Sequence, residues 1–204
     1  RDVAVMARRP FAATSHAQLR PHDLGLDPAP DTRSDRAIFC RDCLMVAFGP
    51  LTLFTVHFKA PWPDRAEAWQ RRRLEALAVR GLIERQFDDP RTALWLVLGD
   101  LNDPINDPER AVAPLIDGFG VDLTTRMAEG ERWTWWHEDG IRGCPDAMIA
   151  SPAVAERWPA AVPRALRLGM GREAGGVTPR LEDVGDHRPH ASDHAALILD
   201  LPGL

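Results

Sequence analysis

The sequence has no tyrosine and only three cysteines among its 204 residues. Without tyrosine, no phenol group is available for catalysis or for substrate contacts. An odd number of cysteines excludes a complete disulfide framework. Cys40 and Cys43 lie in a predicted strand, where residues three apart point to opposite faces. We therefore interpret both thiols as packing groups rather than as a redox or metal-binding pair.

Long apolar runs and an excess of positive charge are also absent. The longest apolar stretch, residues 93–98, has the length of a buried strand and falls far short of the roughly 18 residues of a membrane span. The formal net charge of -5 argues against a broadly basic surface for duplex binding, but it leaves open a local basic groove or a small phosphate substrate. With 45% hydrophobic and 27% charged residues, the composition is that of one globular domain, which we expect to cover residues 1–204.

The order of strand-like and helix-like segments predicts an α/β fold with mixed strand pairing. A 3.6-residue apolar period predicts a long helix opened by Asp64 and ending near Phe87, and a short helix over residues 107–117. Gly49-Pro50 is typical of a hairpin turn. Strands are predicted over residues 2–8, 37–48, 51–58, 93–98, 144–150 and 195–201, and long loops over residues 9–36 and 169–191.

Two further clusters have a structural interpretation. Arg71-Arg-Arg73 lies within the predicted long helix, and we interpret it as a solvated helix face rather than a nucleic-acid patch. Trp133-Thr-Trp-Trp136 is interpreted as aromatic packing at one sheet edge, with base stacking as the alternative.

Polar and ionisable side chains gather where the predicted strands end. Because a sheet brings strand ends together, one rim can hold many of these groups. Carboxylates and amide oxygens suit Mg²⁺ or Mn²⁺, and a histidine serves as acid or base near neutral pH. The pattern indicates metal-dependent cleavage of a phosphate ester. The residues concerned are His57, Lys59, Asp100, Asn102, Asp103, Asp146, Asp193 and His194.

Several short motifs resemble, in their order along the chain, those of the endonuclease/exonuclease/phosphatase superfamily, whose type member is deoxyribonuclease I. Gly99-Asp-Leu-Asn-Asp103 resembles its G-D-[LF]-N signature, and Ser192-Asp-His-Ala195 resembles its closing S-D-H motif. Val56-His-Phe-Lys59 resembles the N-x-H-x-K strand end, with Thr55 where Asn is common. Pro145–Ser151 resembles the D-Y-[IV]-L-x-S strand, with Ala147 in place of Tyr. Asp2–Arg8 and Phe39–Leu44 look like the family's bacterial branch.

The resemblance implies a four-layer α/β sandwich of two packed mixed sheets flanked by helices. It implies that Asp100, as candidate general base, and Asn102 orient the attacking water and the phosphate. His194 would stabilise the phosphoryl charge, and Asp146 would position His194. His57 would act as an acid near the leaving group.

The resemblance also implies an Mg²⁺ (or Mn²⁺) ion that Asp193 helps to bind, and a phosphoester substrate, with nucleic acid as one possibility. Arg41 and Lys59 are candidate substrate-binding cations, with structural ion pairs as the alternative. We expect a monomer without a membrane span. The sequence assigns no compartment.

The family's Asn on its first strand and its metal-binding Glu have no counterpart in the sequence. We therefore expect the chain to represent the C-terminal two-thirds of such a domain, and a catalytically impaired fragment that serves as a binding module is the alternative. A serine hydrolase built from Ser192, Asp193 and His194 is disfavoured, because neighbours in one loop do not readily form a catalytic relay.

Overall fold

The computed structural model describes residues 3–28, 36–103, 109–137, 139–175, 177, 179–185 and 192–204. Its helices are α1 (Pro21–Leu24), α2 (Arg65–Gln86) and α3 (Pro152–Arg157). Short 3₁₀ turns cover Ala113–Leu115, Leu123–Arg126 and Glu129–Glu131. The strands are β1 (Ala12–Ser15), β2 (Cys43–Phe48), β3 (Leu51–His57), β4 (Leu94–Asp100), β5 (Val121–Asp122), β6 (Trp135–Trp136), β7 (Arg142–Gly143), β8 (Asp146–Ala150), β9 (Arg164–Leu166) and β10 (Ala196–Ile198).

The main sheet has six strands in the order β1-β2-β3-β4-β8-β5. The β3–β4 pair is parallel and the other pairs are antiparallel, so the predicted mixed pairing is confirmed. β2 and β3 form the predicted hairpin, and Gly49 takes a left-handed φ of 56° at its turn. α2 connects the parallel strands β3 and β4, as such a pair requires.

α2 covers one face of this sheet. Its N-terminus is capped by Asp64, whose side chain accepts from the backbone N–H groups of Ala66 at 2.8 Å and Glu67 at 3.0 Å. Buried side chains of α2 join the same apolar core as Phe54 and Trp95 of the sheet. The predicted helix and both of its ends are therefore confirmed.

The arginine run of α2 contradicts the predicted solvated face. Arg71 and Arg72 are only 3% and 5% exposed. Arg71 donates to the backbone carbonyl of Ala37, and Arg72 donates to that of Lys59. A guanidinium can be buried when carbonyl oxygens satisfy its donors, and the sequence pattern does not reveal those acceptors.

The opposite face of the sheet packs against a second, smaller sheet formed by β9 and β10. Along β4, Trp95 and Val97 point into the core under α2, whereas Leu96 and Leu98 point into the other core. Leu197 of β10 packs against that second core. The sheet thus lies between a helix and another sheet, and the predicted α/β sandwich is confirmed, with two strands in the second sheet as far as residues are described.

The N-terminal segments differ from the prediction. Residues 3–8 form no strand, and the predicted loop over residues 9–36 contains β1 and α1. β1 pairs with β2 from Ala12↔Ala47 to Ser15↔Leu44, yet all four of its residues are exposed. An exposed edge strand that is held mainly by backbone hydrogen bonds has no alternation of apolar and polar residues that a sequence pattern could reveal.

Other predicted boundaries change as well. β2 begins at Cys43 rather than at residue 37, so Cys40 lies in the preceding loop. The predicted helix over residues 107–117 is a 3₁₀ turn at Ala113–Leu115, and residues 104–108 lie outside the described residues. The described part of the predicted loop over residues 169–191 contains neither helix nor strand, as expected. No helix of the described residues is long and apolar enough to cross a membrane.

Candidate active site

Three predicted site residues lie side by side across the main sheet. His57 is the register partner of Asp100, and Asp100 is the register partner of Asp146. Register partners on adjacent strands project to the same face. Strand alternation places this row on the face that carries Leu98 and Met148, which is the face toward β10. The His57 Nε2 and Asp100 Oδ2 atoms are 3.2 Å apart.

Gly99 permits the close strand approach from which Asp100 projects. Its φ is +136°, and a Cβ atom there would lie 1.9 Å from the carbonyl oxygen of Val56. Any side chain would therefore collide with the backbone of β3. The glycine of the G-D-L-N motif is a packing requirement of the parallel β3–β4 pair.

Asn102 forms the turn that follows Asp100. It takes a left-handed φ of 51°, which asparagine tolerates better than most residues. Its backbone N–H donates to Asp100 Oδ1 at 2.8 Å, and its Nδ2 donates to the carbonyl oxygen of Phe58 at 3.1 Å. These bonds tie the ends of β3 and β4 together and hold the Asp100 carboxylate in place.

His194 reaches the row from the segment that leads into β10. Its Nδ1 lies 2.8 Å from Asp146 Oδ2, and the hydroxyl of Thr134 donates to the same oxygen at 2.6 Å. A β-bridge between Trp135 and His194 aligns the two segments. The Ser192 hydroxyl accepts from the His194 backbone N–H at 3.0 Å. The His194 ring thus pairs with a distant carboxylate and not with its loop neighbours.

The electrostatics of His194 favour its charged form. Burial lowers the pKa of His194, but the hydrogen bond and charge of Asp146, together with the charges of Asp100 and Asp193, raise it more. The net result is a pKa above the ordinary histidine value. A protonated imidazole at this position is suited to a developing negative charge.

The remaining predicted residues have other partners. Asp193 Oδ2 accepts from the Trp135 indole N–H at 3.3 Å. Arg41 donates to the backbone carbonyls of His57 at 3.3 Å and Phe58 at 2.8 Å. Lys59 Nζ donates to the carbonyl of Ala60 at 2.9 Å and to that of Trp62. The structure thus gathers His57, Asp100, Asn102, Asp146 and His194, while Arg41 and Lys59 donate to backbone carbonyls.

Two carboxylates that support the site were not assigned such roles from the sequence. Glu75 of α2 is fully buried and accepts from the backbone N–H groups of Cys40 at 3.0 Å and Lys59 at 2.8 Å. Burial raises the pKa of Glu75, although its hydrogen bonds oppose that shift. Asp103 is buried, accepts from the N–H of Val112 at 3.1 Å and lies 3.6 Å from Arg72 Nε. The signal available in the sequence was Glu75, a charged residue that lies among the apolar positions of the predicted helix.

Of the two thiols predicted to be packing groups, Cys43 belongs to the core, whereas Cys40 is exposed in the loop before β2. The three cysteines are free, and Cys43 is buried. Burial raises the pKa of each thiol above its ordinary value. A raised pKa disfavours the reactive thiolate.

A divalent cation fits the central acidic groups. Asp100, Asp146 and His194 each offer one ligand atom, and these atoms lie within 4.8 Å of one another. Asp146 Oδ2 already receives two hydrogen bonds, so its role toward His194 limits what it offers an ion. The carboxylate of Asp100 is the clearest oxygen ligand for a hard cation.

A cavity of about 530 Å³ opens beside this cluster. Asn102, His194, Trp62 and Trp135 are among the residues that line it. Its remaining lining residues are Ala60, Pro61, Arg65, His137, Asp139, Ile141, Gly143, Cys144 and Pro145. A half-open cavity of ligand size therefore adjoins the cluster of Asp100, Asp146 and His194.

No protein-family model and no curated protein matches the sequence. Solved structures do match it. The AP endonuclease from Archaeoglobus fulgidus aligns at 16% identity over 86% of this chain and 70% of its own, with a TM-score of 0.55. The 3′-5′ exonuclease NExo from Neisseria meningitidis aligns at 19% identity over 85% of this chain and 68% of its own, with a TM-score of 0.54. Truncated Caenorhabditis elegans TDP2 aligns at 16% identity over 83% of this chain and 61% of its own, with a TM-score of 0.53.

The chain has the deoxyribonuclease I-like fold. At these identities the alignments establish the architecture and leave the activity to be argued from the site. The chain spans 61% to 70% of the length of these three proteins. Within the deoxyribonuclease I-like fold, the row of His57, Asp100 and Asp146 lies at the ends of β3 and β4 and the start of β8.

Proposed function

We propose that this protein is a divalent-metal-dependent phosphoester hydrolase. The observation that carries the proposal is the convergence of His57, Asp100 and Asp146 in one register row, with His194 paired to Asp146 at 2.8 Å. Residues 137 positions apart along the chain, from His57 to His194, meet at one sheet rim. The deoxyribonuclease I-like fold, shared with nucleases and a phosphatase, supports the same class of reaction.

A metal ion is part of the proposal. The Asp100 carboxylate, with Asp193 as the second candidate, would hold Mg²⁺ or Mn²⁺. When bound, such an ion supplies positive charge at the phosphoryl and leaving oxygens. The donor set fits a hard cation because two of its three residues offer carboxylate oxygens.

His194 is proposed to stabilise the transition state. Its Nδ1 is engaged by Asp146, which leaves Nε2 as the donor toward a phosphoryl oxygen. The raised pKa of His194 supports this role, because an imidazolium offers a charge-assisted hydrogen bond to the developing charge. Asp146 holds the ring in place, and Thr134 in turn fixes Asp146.

Asp100 and Asn102 are proposed to orient the attacking water and the phosphate. The Asp100 carboxylate is held through Oδ1 by the Asn102 N–H and faces His57 through Oδ2. In this arrangement Asp100 is the candidate general base, and His57 is the candidate acid near the leaving group. Arg41 and Lys59 remain candidates for substrate contacts, in addition to their bonds to backbone carbonyls.

The test is hydrolysis of single-stranded DNA, duplex DNA and small phosphate esters by the full chain, with Mg²⁺, with Mn²⁺ and with EDTA. We expect metal-dependent cleavage, and a loss of about 100- to 1,000-fold in turnover for His194→Ala and Asp146→Asn. His22→Ala and Asp200→Asn are matched controls, because those side chains are 66% and 79% exposed and pair locally or at the surface. Absence of cleavage for every ester under every condition would reject the proposal.

The alternative is a binding module without turnover. It is favoured by the length of the match, since the chain covers 61% to 70% of the solved structures. In that case phosphoester substrates would bind in the presence of the metal, and the same His194→Ala substitution would weaken binding while no product forms. Product formation by the unmodified chain would exclude this alternative.

A further inference from the structure

Part of the lining of the 530 Å³ cavity comes from a short segment between β3 and α2, which we call the Trp62 loop (residues 60–64). Trp62 is 73% exposed, and it lines the cavity together with Ile141, which is 59% exposed. Large apolar side chains that are exposed together at one cavity mark a binding surface. The catalytic roles proposed above use neither residue.

The backbone of the Trp62 loop is held while its indole faces the cavity. Lys59 Nζ donates to the carbonyl oxygens of Ala60 and Trp62, and Glu75 accepts from the Lys59 N–H at 2.8 Å. The buried carboxylate and the lysine thus anchor the loop to α2. An aromatic group on an anchored backbone loses little conformational entropy when a ligand binds against it.

A second indole, that of Trp135, also lines the cavity. The Trp135 N–H donates to Asp193 Oδ2 at 3.3 Å, and a bridge to His194 holds its backbone. Gly143 lies against this ring, because a Cβ atom there would approach Trp135 Cε3 to 3.0 Å. Two tryptophans therefore line one cavity that is also lined by His194, the candidate catalytic histidine.

We propose that this cavity binds an unpaired nucleobase next to the scissile phosphate, with Trp62 as the specificity-determining stacking surface. This inference rests on the proposed function and names its substrate class as single-stranded nucleic acid. Aromatic faces bind bases of any sequence by stacking, and a base in a duplex has both of its faces covered already. The net charge of -5 fits a site that depends on stacking rather than on a cationic duplex track.

The charged groups at the cavity agree with this assignment. The Asp139 Oδ2 atom lies 3.0 Å from His137 Nδ1, so this acidic residue of the cavity lining has a local partner. Arg65, the first residue of α2, lines the same cavity and is exposed. Its guanidinium is placed to meet a phosphate adjacent to the bound nucleotide.

The experiment compares a single-stranded oligonucleotide with the same strand carrying a base-free tetrahydrofuran residue at the cleaved position. We expect the unmodified chain to prefer the base-bearing strand, and Trp62→Ala to reduce that preference by about 10- to 100-fold, mainly through KM. Trp62→Phe should recover much of it, because an aromatic face remains. Leu166→Ala, an exposed apolar residue of β9, is the control and should keep the original preference.

A binding measurement separates this inference from the proposed catalysis. Stacking on Trp62 should quench part of the tryptophan fluorescence when oligo(dT) is added without metal, and Trp62→Phe should remove that part. Cleavage with equal preference in the unmodified chain and Trp62→Ala would overturn the inference and leave the hydrolase standing. A chain that cleaves no ester but shows the Trp62-dependent quenching would support the inference alone, and unchanged fluorescence would overturn it.

Discussion

The Nδ1 atom of His194 lies 2.8 Å from the Oδ2 atom of Asp146, a carboxylate oxygen that also accepts the Thr134 hydroxyl. This triad links three separate chain segments at the rim of the main sheet. The two donors orient the carboxylate, and the carboxylate orients the imidazole. The ring therefore presents its other nitrogen in a defined direction without support from its own loop.

Asp146→Asn should lower the pKa of His194. Burial lowers the pKa of His194, and the hydrogen bond and charge of Asp146, together with the charges of Asp100 and Asp193, raise it more. The measurement is the pH titration of the His194 ring protons by NMR in metal-free protein, compared with exposed His22 as the internal control. A His194 pKa that does not change in Asp146→Asn would contradict the assigned cause of its raised value.

The same pair predicts a pH-dependent contribution to stability. A histidine whose folded pKa is raised stabilises the fold fully below its unfolded pKa of about 6.5, and this stabilisation is lost as pH rises through the folded pKa. The difference in free energy of unfolding between the unmodified chain and Asp146→Asn should therefore shrink from pH 5 to pH 9 in urea titrations. A difference that stays constant with pH would point to packing alone.

Gly99→Ala should destabilise the protein by about 2 to 4 kcal/mol or prevent folding, since the clash and the backbone strain add. The added Cβ atom would meet the Val56 carbonyl oxygen at 1.9 Å, at a φ of +136°. Gly130→Ala is the matched control, because a Cβ atom there meets nothing within 4 Å. The measurement is the melting temperature of the two variants. An equal decrease in both would contradict the steric explanation.

Glu75→Leu should cost about 2 to 5 kcal/mol, because it leaves two partly buried backbone N–H groups without their acceptor. Those groups belong to Cys40 and Lys59, and Lys59 begins the segment that carries Trp62. Glu84→Leu on the same helix is the control, since Glu84 is 47% exposed and forms only a surface pair with Arg80. Urea denaturation should show a large loss for the first variant and at most about 0.5 kcal/mol for the second.

Addition of Mg²⁺ or Mn²⁺ should raise the melting temperature of the chain, and EDTA should reverse the rise. A ligand that binds the folded state alone stabilises it in proportion to the logarithm of its concentration over its Kd. Asp100→Asn should reduce the rise because it removes an anionic ligand from the cluster of Asp100, Asp146 and His194. Asp200→Asn, which alters a 79% exposed carboxylate, should keep the full rise. A full rise in Asp100→Asn would place the ion elsewhere.

The sequence predicts those elements of the fold that carry strong local signals. Asp64 and Phe87 bound α2 as predicted, because a capping carboxylate and an apolar period mark a helix without reference to its partners. The Gly49-Pro50 turn likewise marked the β2–β3 hairpin. β1 was missed for the opposite reason: its side chains are all exposed, and its order comes from backbone bonds to β2.

In the candidate site, too, some features follow from the sequence and others only from the tertiary structure. The sequence by itself determined which residues are candidates for the chemistry, because Asp100, Asn102, Asp146 and His194 stand in an ordered set of short motifs. Only the tertiary structure decided their pairings. Strand register aligned Asp146 with Asp100, and the bridge to Trp135 brought His194 to Asp146.

The buried charges of α2 show why the sequence stops short of such pairings. Arg71, Arg72 and Glu75 read as polar residues, yet all three are buried against backbone groups of other segments. The local chain determines whether a residue is charged and where it lies on a helix. Whether that charge is solvated or buried depends on acceptors and donors from distant segments, and those come together only when the sheet forms.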